Sequence, residues 1–346
     1  MGNNHFLAFL HWNGLCLAII SYNILLLRVF LSHPSKSLLF GMLLIGLALP
    51  FRAGGYKRGQ IISSFFTALL PFGIWRDELH DGAPWPLFAE YFPSFVVLRE
   101  YLGLEFGPIP TKLKAAEEKP ESQFIFAVFP HGCGSEFRVL MEGMLHQVFP
   151  NLAERGVIRT LAASVLFRIP LLSHISLWTG CVDANRKTAG SLLDNGRTVI
   201  VLPGGEAEQL LTVHGEEKVY LKSRKGFVKL AMRKRVPIVP VYVFGCSDYF
   251  MTSTILYNVR HTLMKKFGIC IPLCRGLYHS LCPLPVKTTI VFGEPIDFFN
   301  IMGKEDRQAT EEELSVAHTK FCMALVDLFD KHKARLGYAN RTLKVM

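Results

Sequence analysis

The first 28 residues constrain the fold of this chain more than any other segment. No Lys, Arg, Asp or Glu lies between Met1 and Arg28, and Phe6 to Leu27 is mostly apolar. A helix of that length rises about 30 Å, the thickness of the hydrocarbon core of a bilayer. The segment therefore predicts a membrane helix, with a buried core helix of a soluble protein as the alternative.

Two further apolar runs follow, at 37–51 and 61–75. The first is too short to span and predicts one arm of a re-entrant hairpin or an interfacial helix. We therefore divide the chain into a membrane-anchoring hairpin and interfacial segment, 1–75, and a second domain, 76–346. By the positive-inside tendency, four basic residues after the hairpin place the second domain in the cytosol. They are Arg52, Lys57, Arg58 and Arg76.

The charge balance narrows the class of ligand. The chain is 50% hydrophobic and 19% charged, yet its formal net charge is +10. This composition argues against disorder and indicates a membrane surface or phosphate-bearing ligands. The densest basic segment, 218–235, holds eight basic residues and no acid. Nucleic acid is disfavoured because that segment lacks interleaved stacking aromatics. No Cys or His spacing predicts a metal site.

The second domain alternates strands and helices. Apolar runs predict strands at 124–129, 198–202, 238–244 and 288–292, and the polar segment 112–122 predicts a loop. Helical spacing of apolar residues predicts helices at 137–148 and 226–235. Thr310 and Glu313 form a capping box that opens a long helix, which Gly337 ends. This order predicts an α/β layered domain with a largely parallel sheet.

The turn after the first of these strands carries the chemistry. Pro130 to Ser135 is glycine-rich, and Ser135 is placed to cap the helix that follows. His131 and Glu136 are five positions apart, which predicts a carboxylate that orients an imidazole general base. The alternative is a turn histidine followed by a glutamate that favours a helix N-terminus. A nucleophilic role for Cys133 is a less favoured reading, and no G-x-S-x-G elbow indicates a hydrolase.

These motifs occur in the order found in one enzyme family. The chain resembles the type 2 diacylglycerol acyltransferase family, which also includes monoacylglycerol and wax-alcohol acyltransferases. The resemblance covers nearly the whole chain. It rests on Tyr91-Phe92-Pro93, Phe129-Pro130-His131-Gly132, Phe167-Arg168-Ile169-Pro170, Gly204-Gly205-Glu206-Ala207-Glu208, Arg224-Lys225-Gly226-Phe227-Val228-Lys229-Leu230-Ala231, Val239-Pro240-Val241-Tyr242-Val243-Phe244-Gly245, Gly276-Leu277, Val291-Phe292-Gly293-Glu294-Pro295-Ile296 and Leu328-Phe329-Asp330-Lys331-His332-Lys333.

The resemblance implies a glycerolipid-acyltransferase-like fold and an activity. Acyl-CoA, as co-substrate rather than cofactor, would esterify a lipid hydroxyl, with His131 as general base and main-chain N–H groups near Gly132 as oxyanion donors. The acceptor would be diacylglycerol, monoacylglycerol or a wax alcohol. The implied location is the endoplasmic reticulum membrane, with lipid droplets as a second site. Oligomerisation stays open.

Candidate substrate-binding residues also follow from the matched motifs. Glu206 and Glu208 would bind acceptor hydroxyls or support His131. For the basic residues, CoA phosphate, anionic lipid and a solvated face are the open readings. The substrate-binding set is Arg168, Arg186, Gly204, Gly205, Glu206, Glu208, Arg224, Lys225, Gly226 and Lys229. One departure is Phe129, which stands where the family has its first motif histidine, so a catalytically inactive membrane or lipid-droplet protein is the rival reading.

Overall fold

A computed structural model of the chain describes residues 2–32, 93–119, 121–141, 144–154, 158–169, 172–267, 270–302 and 308–346. Several expectations fall outside these residues. They are the second and third apolar runs, the domain boundary near Trp75, the basic residues that follow the hairpin, and Tyr91 and Phe92.

The N-terminal apolar run forms one long helix, α1, over Gly2–Ser32. Its segment His5–Leu25 is long and apolar enough to cross a bilayer. Only 6% of the most apolar part of this segment is buried inside the protein. One face of α1 contacts the rest of the protein. Ala8 is buried there, the Trp12 ring lies 6.4 Å from Phe95, and Asn13 Nδ2 donates to Ser280 Oγ at 3.1 Å. The expected helix is confirmed.

The described residues form eleven strands, and those of the central sheet lie between residues 105 and 292. The strands are β1 Glu105–Phe106, β2 Ile125–Phe129, β3 Arg159–Ala162, β4 Cys181–Asp183, β5 Val199–Val201, β6 Lys218–Val219, β7 Ile238–Phe244, β8 Met251–Thr252, β9 Cys274–Arg275, β10 Thr289–Phe292 and β11 Lys344–Val345. Within the described residues, seven of them form one sheet in the order β1-β10-β7-β2-β5-β3-β4. All neighbours in it are parallel except β10 and β7. The largely parallel sheet is confirmed, and the four predicted strands agree within a residue at each end.

Helices cover both faces of this sheet. After α1 they are α2 Pro93–Tyr101, α3 Thr111–Glu117, α4 Glu136–Met141, α5 Met144–Val148, α6 Pro150–Glu154, α7 Leu172–Trp178, α8 Arg186–Asp194, α9 Gly205–Leu211, α10 Gly226–Lys234, α11 Tyr257–Phe267, α12 Phe299–Met302 and α13 Glu311–Lys333. Short 3-10 turns lie at Ser164–Arg168, Cys246–Asp248 and Leu277–His279.

The alternation of β2 shows how the layers are built. Ile125, Ala127 and Phe129 belong to the core on one face, which includes residues of α10 and α13. Phe126 and Val128 belong to the core on the other face, which includes residues of α2 and α4. Because both faces of a central parallel strand are covered, its residues are apolar throughout. The predicted layered α/β architecture is confirmed.

The prediction of a loop at 112–122 is wrong, because part of it is helix α3. Leu113 is fully buried, and Glu117 is almost fully buried although it is charged. The Glu117 carboxylate accepts the main-chain N–H groups of Asn151 at 2.8 Å and Leu152 at 3.2 Å, at the start of α6. The helix is stabilised by this distant partner, which the polar local sequence does not reveal.

The capping box on α13 gives a test of local helix stability. Thr310 Oγ1 accepts from Glu313 N at 3.2 Å, and Glu313 Oε2 accepts from Thr310 N at 2.8 Å. We expect Thr310→Ala to lower the free energy of unfolding by about 1 kcal/mol, because a helix-start N–H loses its acceptor. Chemical denaturation in detergent measures this change. Thr319→Ala, at an exposed position on the same helix, is the control, and an equal loss in both variants would contradict the capping role.

Candidate active site

Two loops meet at the carboxyl end of the parallel strands β2 and β5. The turn carrying His131 follows β2, and the Gly204-Gly205 turn follows β5, its neighbour in the sheet. Adjacent parallel strands end at the same edge, so the two turns lie side by side. Gly132 has a φ of +67°, and a Cβ there would lie 2.5 Å from Cys246 Sγ, so this position requires glycine.

Helix α9 holds the His131 turn by two consecutive side chains. The buried Glu208 carboxylate accepts the main-chain N–H of His131 through Oε1 and that of Tyr220 through Oε2, the latter at 2.7 Å. Gln209 Nε2 donates to the Cys133 carbonyl at 2.8 Å. Gln209 was missed at the sequence level, and its only signal there is its place beside Glu208. The proposed support of His131 by Glu208 acts through the backbone of the turn.

Gly204 makes room for this carboxylate. Its backbone is helical, with φ −61° and ψ −42°, so glycine is not needed for conformation. A Cβ at Gly204 would overlap Glu208 Oε2 and lie 2.7 Å from Glu208 Cβ. Burial raises the pKa of Glu208 to about 7, and the hydrogen bonds from the His131 and Tyr220 N–H groups and the nearby Arg224 oppose that rise. The absence of a side chain at Gly204 therefore allows the Glu208 carboxylate to occupy its position.

The His131 ring is half-buried and faces acceptors on one side. Its Nδ1 lies 3.2 Å from the Gly132 carbonyl oxygen and 2.8 Å from Ser135 Oγ. A carbonyl oxygen can only accept, so this geometry fits a proton on Nδ1 and a lone pair on Nε2. Burial lowers the pKa of His131 to about 4, against the opposing effect of the main-chain hydrogen bonds, so the ring is neutral at pH 7.

Among the described residues, the structure gives no hydrogen bond between the side chains of His131 and Glu136. Ser135 has a φ of +57°, and its hydroxyl donates to the His131 carbonyl at 3.0 Å, so it contacts the histidine and does not cap α4. The Glu136 carboxyl folds back over Gly134, where a Cβ would overlap Glu136 Oε1. Glu136 Oε2 is buried and has no hydrogen-bond partner among the described residues. Ser135 therefore takes the position beside the ring that spacing assigned to Glu136.

The basic segment 218–235 engages several different neighbours. Arg224 Nη2 donates to the Gly204 carbonyl at 3.4 Å, and its guanidinium lies 5.1 Å from the Tyr220 ring centre. Lys225 Nζ donates to Ser315 Oγ at 2.9 Å. Lys229 is exposed, and its Nζ lies 3.8 Å from Glu311 Oε1. Within this segment, Arg224 is the residue whose side chain reaches the Gly204-Gly205 turn.

The remaining candidate residues make their contacts away from the His131 turn. Arg168 ends a 3-10 turn and Arg186 begins α8, and both side chains are exposed. Glu206, in the first turn of α9, is half-buried, and burial raises its pKa although the nearby Arg224 opposes this. Gly205 has a φ of +54° and open space around it, and Gly226 also has space for a Cβ. The structure does not join these residues to the His131 ring by any contact among the described residues.

The chain is similar in sequence to known acyltransferases. A family model described as diacylglycerol acyltransferase matches residues 88–346. The chain belongs to the diacylglycerol acyltransferase family. Human diacylglycerol O-acyltransferase 2 is 31% identical over 279 residues, or 75% of this chain and 65% of that protein. Human 2-acylglycerol O-acyltransferase 3 is 33% identical over 309 residues, or 79% of this chain and 83% of that protein.

Coverage differs among these relatives. The chain spans about two thirds of the length of the human diacylglycerol O-acyltransferase 2 that it matches. Diacylglycerol O-acyltransferase 2 of Dictyostelium discoideum is 27% identical over 307 residues, or 79% of this chain and 84% of that protein. The family match includes both loops of the candidate site.

Phe129 occupies a core position in this family member. It is fully buried at the end of β2, and its ring centre lies 6.1 Å from that of Phe321 on α13. An ionisable side chain there would be separated from water, whereas His131 lies in the turn beyond the strand. The structure thus places position 129 in the core and His131 in the turn.

Gly204 and Glu208 can be tested without a substrate. We expect Gly204→Ala to displace the Glu208 carboxylate and so to raise hydrogen-exchange rates of the His131 and Tyr220 amides at least tenfold. Mass spectrometry of peptides covering 129–134 and 218–222 measures this. Gly190→Ala in α8, where the nearest side-chain atom is 3.7 Å from an added Cβ, is the control. Unchanged exchange in Gly204→Ala would show that the carboxylate does not hold these amides.

Glu136 gives a pH-dependent test. Burial raises the pKa of Glu136 to about 7 from 4.5, against a hydrogen bond from its own N–H. The folded protein therefore keeps a proton that the unfolded chain releases, and stability is lost as pH rises from about 4.5 to 7. We expect Glu136→Gln to gain stability relative to wild type across that window, by on the order of 3 kcal/mol. Denaturation at each pH measures this difference.

The exposed Glu121 provides the control for that measurement. Glu121→Gln makes the same chemical change at an exposed position and shows what loss of an exposed carboxyl does by itself. A pH-independent difference between Glu136→Gln and wild type would mean that the Glu136 carboxyl is not buried in a medium that disfavours its charge.

Proposed function

We propose that this chain is an acyl-CoA-dependent O-acyltransferase that esterifies diacylglycerol to triacylglycerol, with His131 as the general base. The observation that carries the proposal is the His131 turn, whose main chain is held by Glu208 and Gln209. Nε2 of the ring, which lies 3.2 Å from Ser135 Oγ against 2.8 Å for Nδ1, is the proposed proton acceptor. Membership of the diacylglycerol acyltransferase family supports the reaction class. The human diacylglycerol O-acyltransferase 2 match supports the acceptor.

The proton steps follow from the tautomer. Nε2 of neutral His131 accepts the proton of the lipid hydroxyl while the hydroxyl oxygen attacks the thioester carbonyl carbon. The tetrahedral intermediate then collapses, the C–S bond breaks, and the thiolate of CoA takes the proton from Nε2. Both products leave neutral at the reacting atoms, and no covalent enzyme intermediate is required. Nδ1 keeps its proton throughout because the Gly132 carbonyl and Ser135 Oγ accept from it.

The oxyanion of the intermediate requires hydrogen-bond donors. The His131 N–H is already bonded to Glu208, so the main-chain N–H groups from Gly132 to Gly134 are the proposed donors. Gly132 and Gly134 add no side chains of their own to that edge. Gly134 is exposed, which leaves the turn accessible from solvent or from a lipid substrate.

The substrate-binding residues divide by their contacts. Both oxygens of Glu208 are used by main-chain N–H groups, so the half-buried Glu206 is the proposed contact for acceptor hydroxyls. Arg224 and the exposed Lys229, Arg168 and Arg186 are proposed to meet the phosphates of CoA. Lys225 and the N-terminus of α10 at Gly226 belong to the same proposal, since a helix N-terminus favours phosphate.

We further propose a location in the endoplasmic reticulum membrane and on lipid droplets, with the catalytic domain in the cytosol. The single described helix that is long and apolar enough to cross a bilayer supports membrane attachment. Contacts of α1 with Phe95 and Ser280 bring that helix against the catalytic domain. A lipid acceptor could then reach the site from the bilayer.

Monoacylglycerol is the second candidate acceptor. It is favoured by the similarity to human 2-acylglycerol O-acyltransferase 3, of which the match covers 83%. A wax alcohol remains a member of the acceptor panel because the wider family includes such enzymes. The inactive alternative, based on Phe129, predicts no esterification of any acceptor.

Membranes containing the chain, incubated with labelled acyl-CoA and this panel of acceptors, test the proposal. We expect wild type to form triacylglycerol and His131→Ala to lose about 10² to 10⁴ in rate, the usual contribution of a general base. His261→Ala, on helix α11, is the matched histidine control. Absence of product with every acceptor would support the inactive alternative, and full activity of His131→Ala would refute its role as base.

Ser135→Ala and Glu136→Gln separate the two neighbours of the base in the same assay. The structure places Ser135 Oγ at the ring and the Glu136 carboxyl over Gly134. The loss of activity should therefore be larger for Ser135→Ala. The reverse order would restore the pairing of His131 with Glu136.

A further inference from the structure

The Glu208 carboxylate joins the His131 turn to a second segment. Oε1 accepts the His131 N–H, and Oε2 accepts the N–H of Tyr220, just after strand β6. Because a carboxylate is rigid, the location of the Tyr220 N–H limits where the His131 turn can lie. Contacts that fix the position of residues 217–222 therefore affect the position of His131, the candidate base.

Strand β11, near the C-terminus, fixes that segment from its other edge. Lys344 N donates to the Glu217 carbonyl at 2.8 Å, Met346 N to the Val219 carbonyl at 2.9 Å, and Leu221 N to the Met346 carbonyl at 2.9 Å. Main-chain groups of successive residues in an extended strand face opposite edges. Residues 217, 219 and 221 thus bond to β11 or to Met346 just after it, and Tyr220 between them presents its N–H to Glu208. Lys222 N also donates to the Met346 carbonyl, at 2.7 Å, where the strand pairing ends.

Arg341 anchors the chain that leads into β11. Its Nη1 lies 2.9 Å from Glu217 Oε1 and 2.8 Å from Asp248 Oδ2, and its guanidinium is 4.8 Å from the Tyr338 ring centre. The second oxygen of Glu217 accepts from Tyr242 Oη at 2.6 Å and Ser247 Oγ at 2.8 Å. The Arg341–Glu217 pair therefore contacts β7, a buried strand of the central sheet, and the 3-10 turn after it.

The two carboxylates require this arginine. Glu217 is 3% exposed and Asp248 is 8% exposed, so each would be a poorly solvated charge without a cation. Both carboxylates are met by one guanidinium nitrogen, Nη1, while the guanidinium as a whole also lies over the Tyr338 ring. A lysine could supply the charge but not this ring contact.

We propose that Arg341 is a positioning residue for the His131 turn. It holds β11 against residues 217–221, which places the Tyr220 N–H, which in turn places Glu208 and the main chain of His131. This inference rests on the proposed function for its catalytic consequence, since it assigns no substrate contact to Arg341. Its structural part, the coupling between Arg341 and the turn, is independent of that function.

The proposal predicts a particular kinetic change. Arg341 contacts none of the residues proposed to bind CoA, so KM for acyl-CoA should change little. The orientation of the base should be lost, so kcat per mole of folded protein should fall at least tenfold. A role in stability alone would lower the amount of folded protein and leave kcat of that protein unchanged.

The test compares Arg341→Gln, Arg341→Lys and Lys344→Gln in the full chain. Lys344 lies in β11 and makes an exposed ion pair with Glu216 at 3.4 Å, so Lys344→Gln is the matched control on the same strand. Kinetics with acyl-CoA and diacylglycerol are measured beside hydrogen exchange of peptides covering 129–134 and 218–222. If Arg341→Gln does not fold, Arg341→Lys and the double variant Arg341→Gln with Glu217→Gln, which removes the unpaired buried charge, take its place.

The expected result is a tenfold or greater loss of kcat at constant KM for Arg341→Gln. Faster exchange in both peptides should accompany it, with partial recovery in Arg341→Lys and no change in Lys344→Gln. Wild-type kcat and exchange in Arg341→Gln would overturn the proposal. So would exchange that rises equally in every core strand, because that marks global destabilisation.

His131→Ala in the same assay separates this inference from the proposed function. If His131→Ala is fully active while Arg341→Gln still accelerates exchange at 129–134, the function of His131 fails and the coupling stands. If His131→Ala is inactive and Arg341→Gln behaves as wild type, the coupling alone fails.

Discussion

A single buried carboxylate organises the candidate site. Glu208 binds the main-chain N–H groups of two segments that are 89 positions apart in sequence, His131 and Tyr220. An ionised carboxylate out of water is costly unless its oxygens are satisfied, and this one is satisfied by backbone donors. Glycine at 204 is the steric condition for that arrangement. The turn carrying His131, the start of α9 and the strand beside the C-terminus therefore depend on one another.

The parallel sheet is what brings these parts together. β2 and β5 are neighbours and end at the same edge, so their two glycine-containing turns meet without a long loop. The apolar strand ends at Phe129, and the polar turn begins two residues later. This division between core and turn puts position 129 in the hydrophobic interior and leaves His131 at the edge where a lipid and an acyl-CoA could meet. Membership of the diacylglycerol acyltransferase family supports the reaction class proposed for this edge.

Local patterns predicted some features of this site and missed others for identifiable reasons. The strand Ile238–Phe244 and the Thr310 capping box were predictable because apolar runs and caps involve neighbours in sequence. The helix Thr111–Glu117 was not, since the partners of Glu117 lie at the start of another helix. Spacing placed Glu136 beside His131, but the positive φ of Ser135 turns the chain so that the serine hydroxyl takes that place.

From the amino-acid sequence alone we can predict the apolar N-terminal helix, the α/β order of the second domain, the glycine-rich turn with His131 and the family. Each follows from composition, short-range periodicity or an ordered set of motifs. The groups that hold that turn are visible only in the folded protein: Glu208 and Gln209 from α9, Ser135 at the ring and, as proposed, Arg341 through the C-terminal strand. Hydrogen bonds depend on distances of about 3 Å between atoms that chain folding brings together, and no spacing along the sequence encodes those distances.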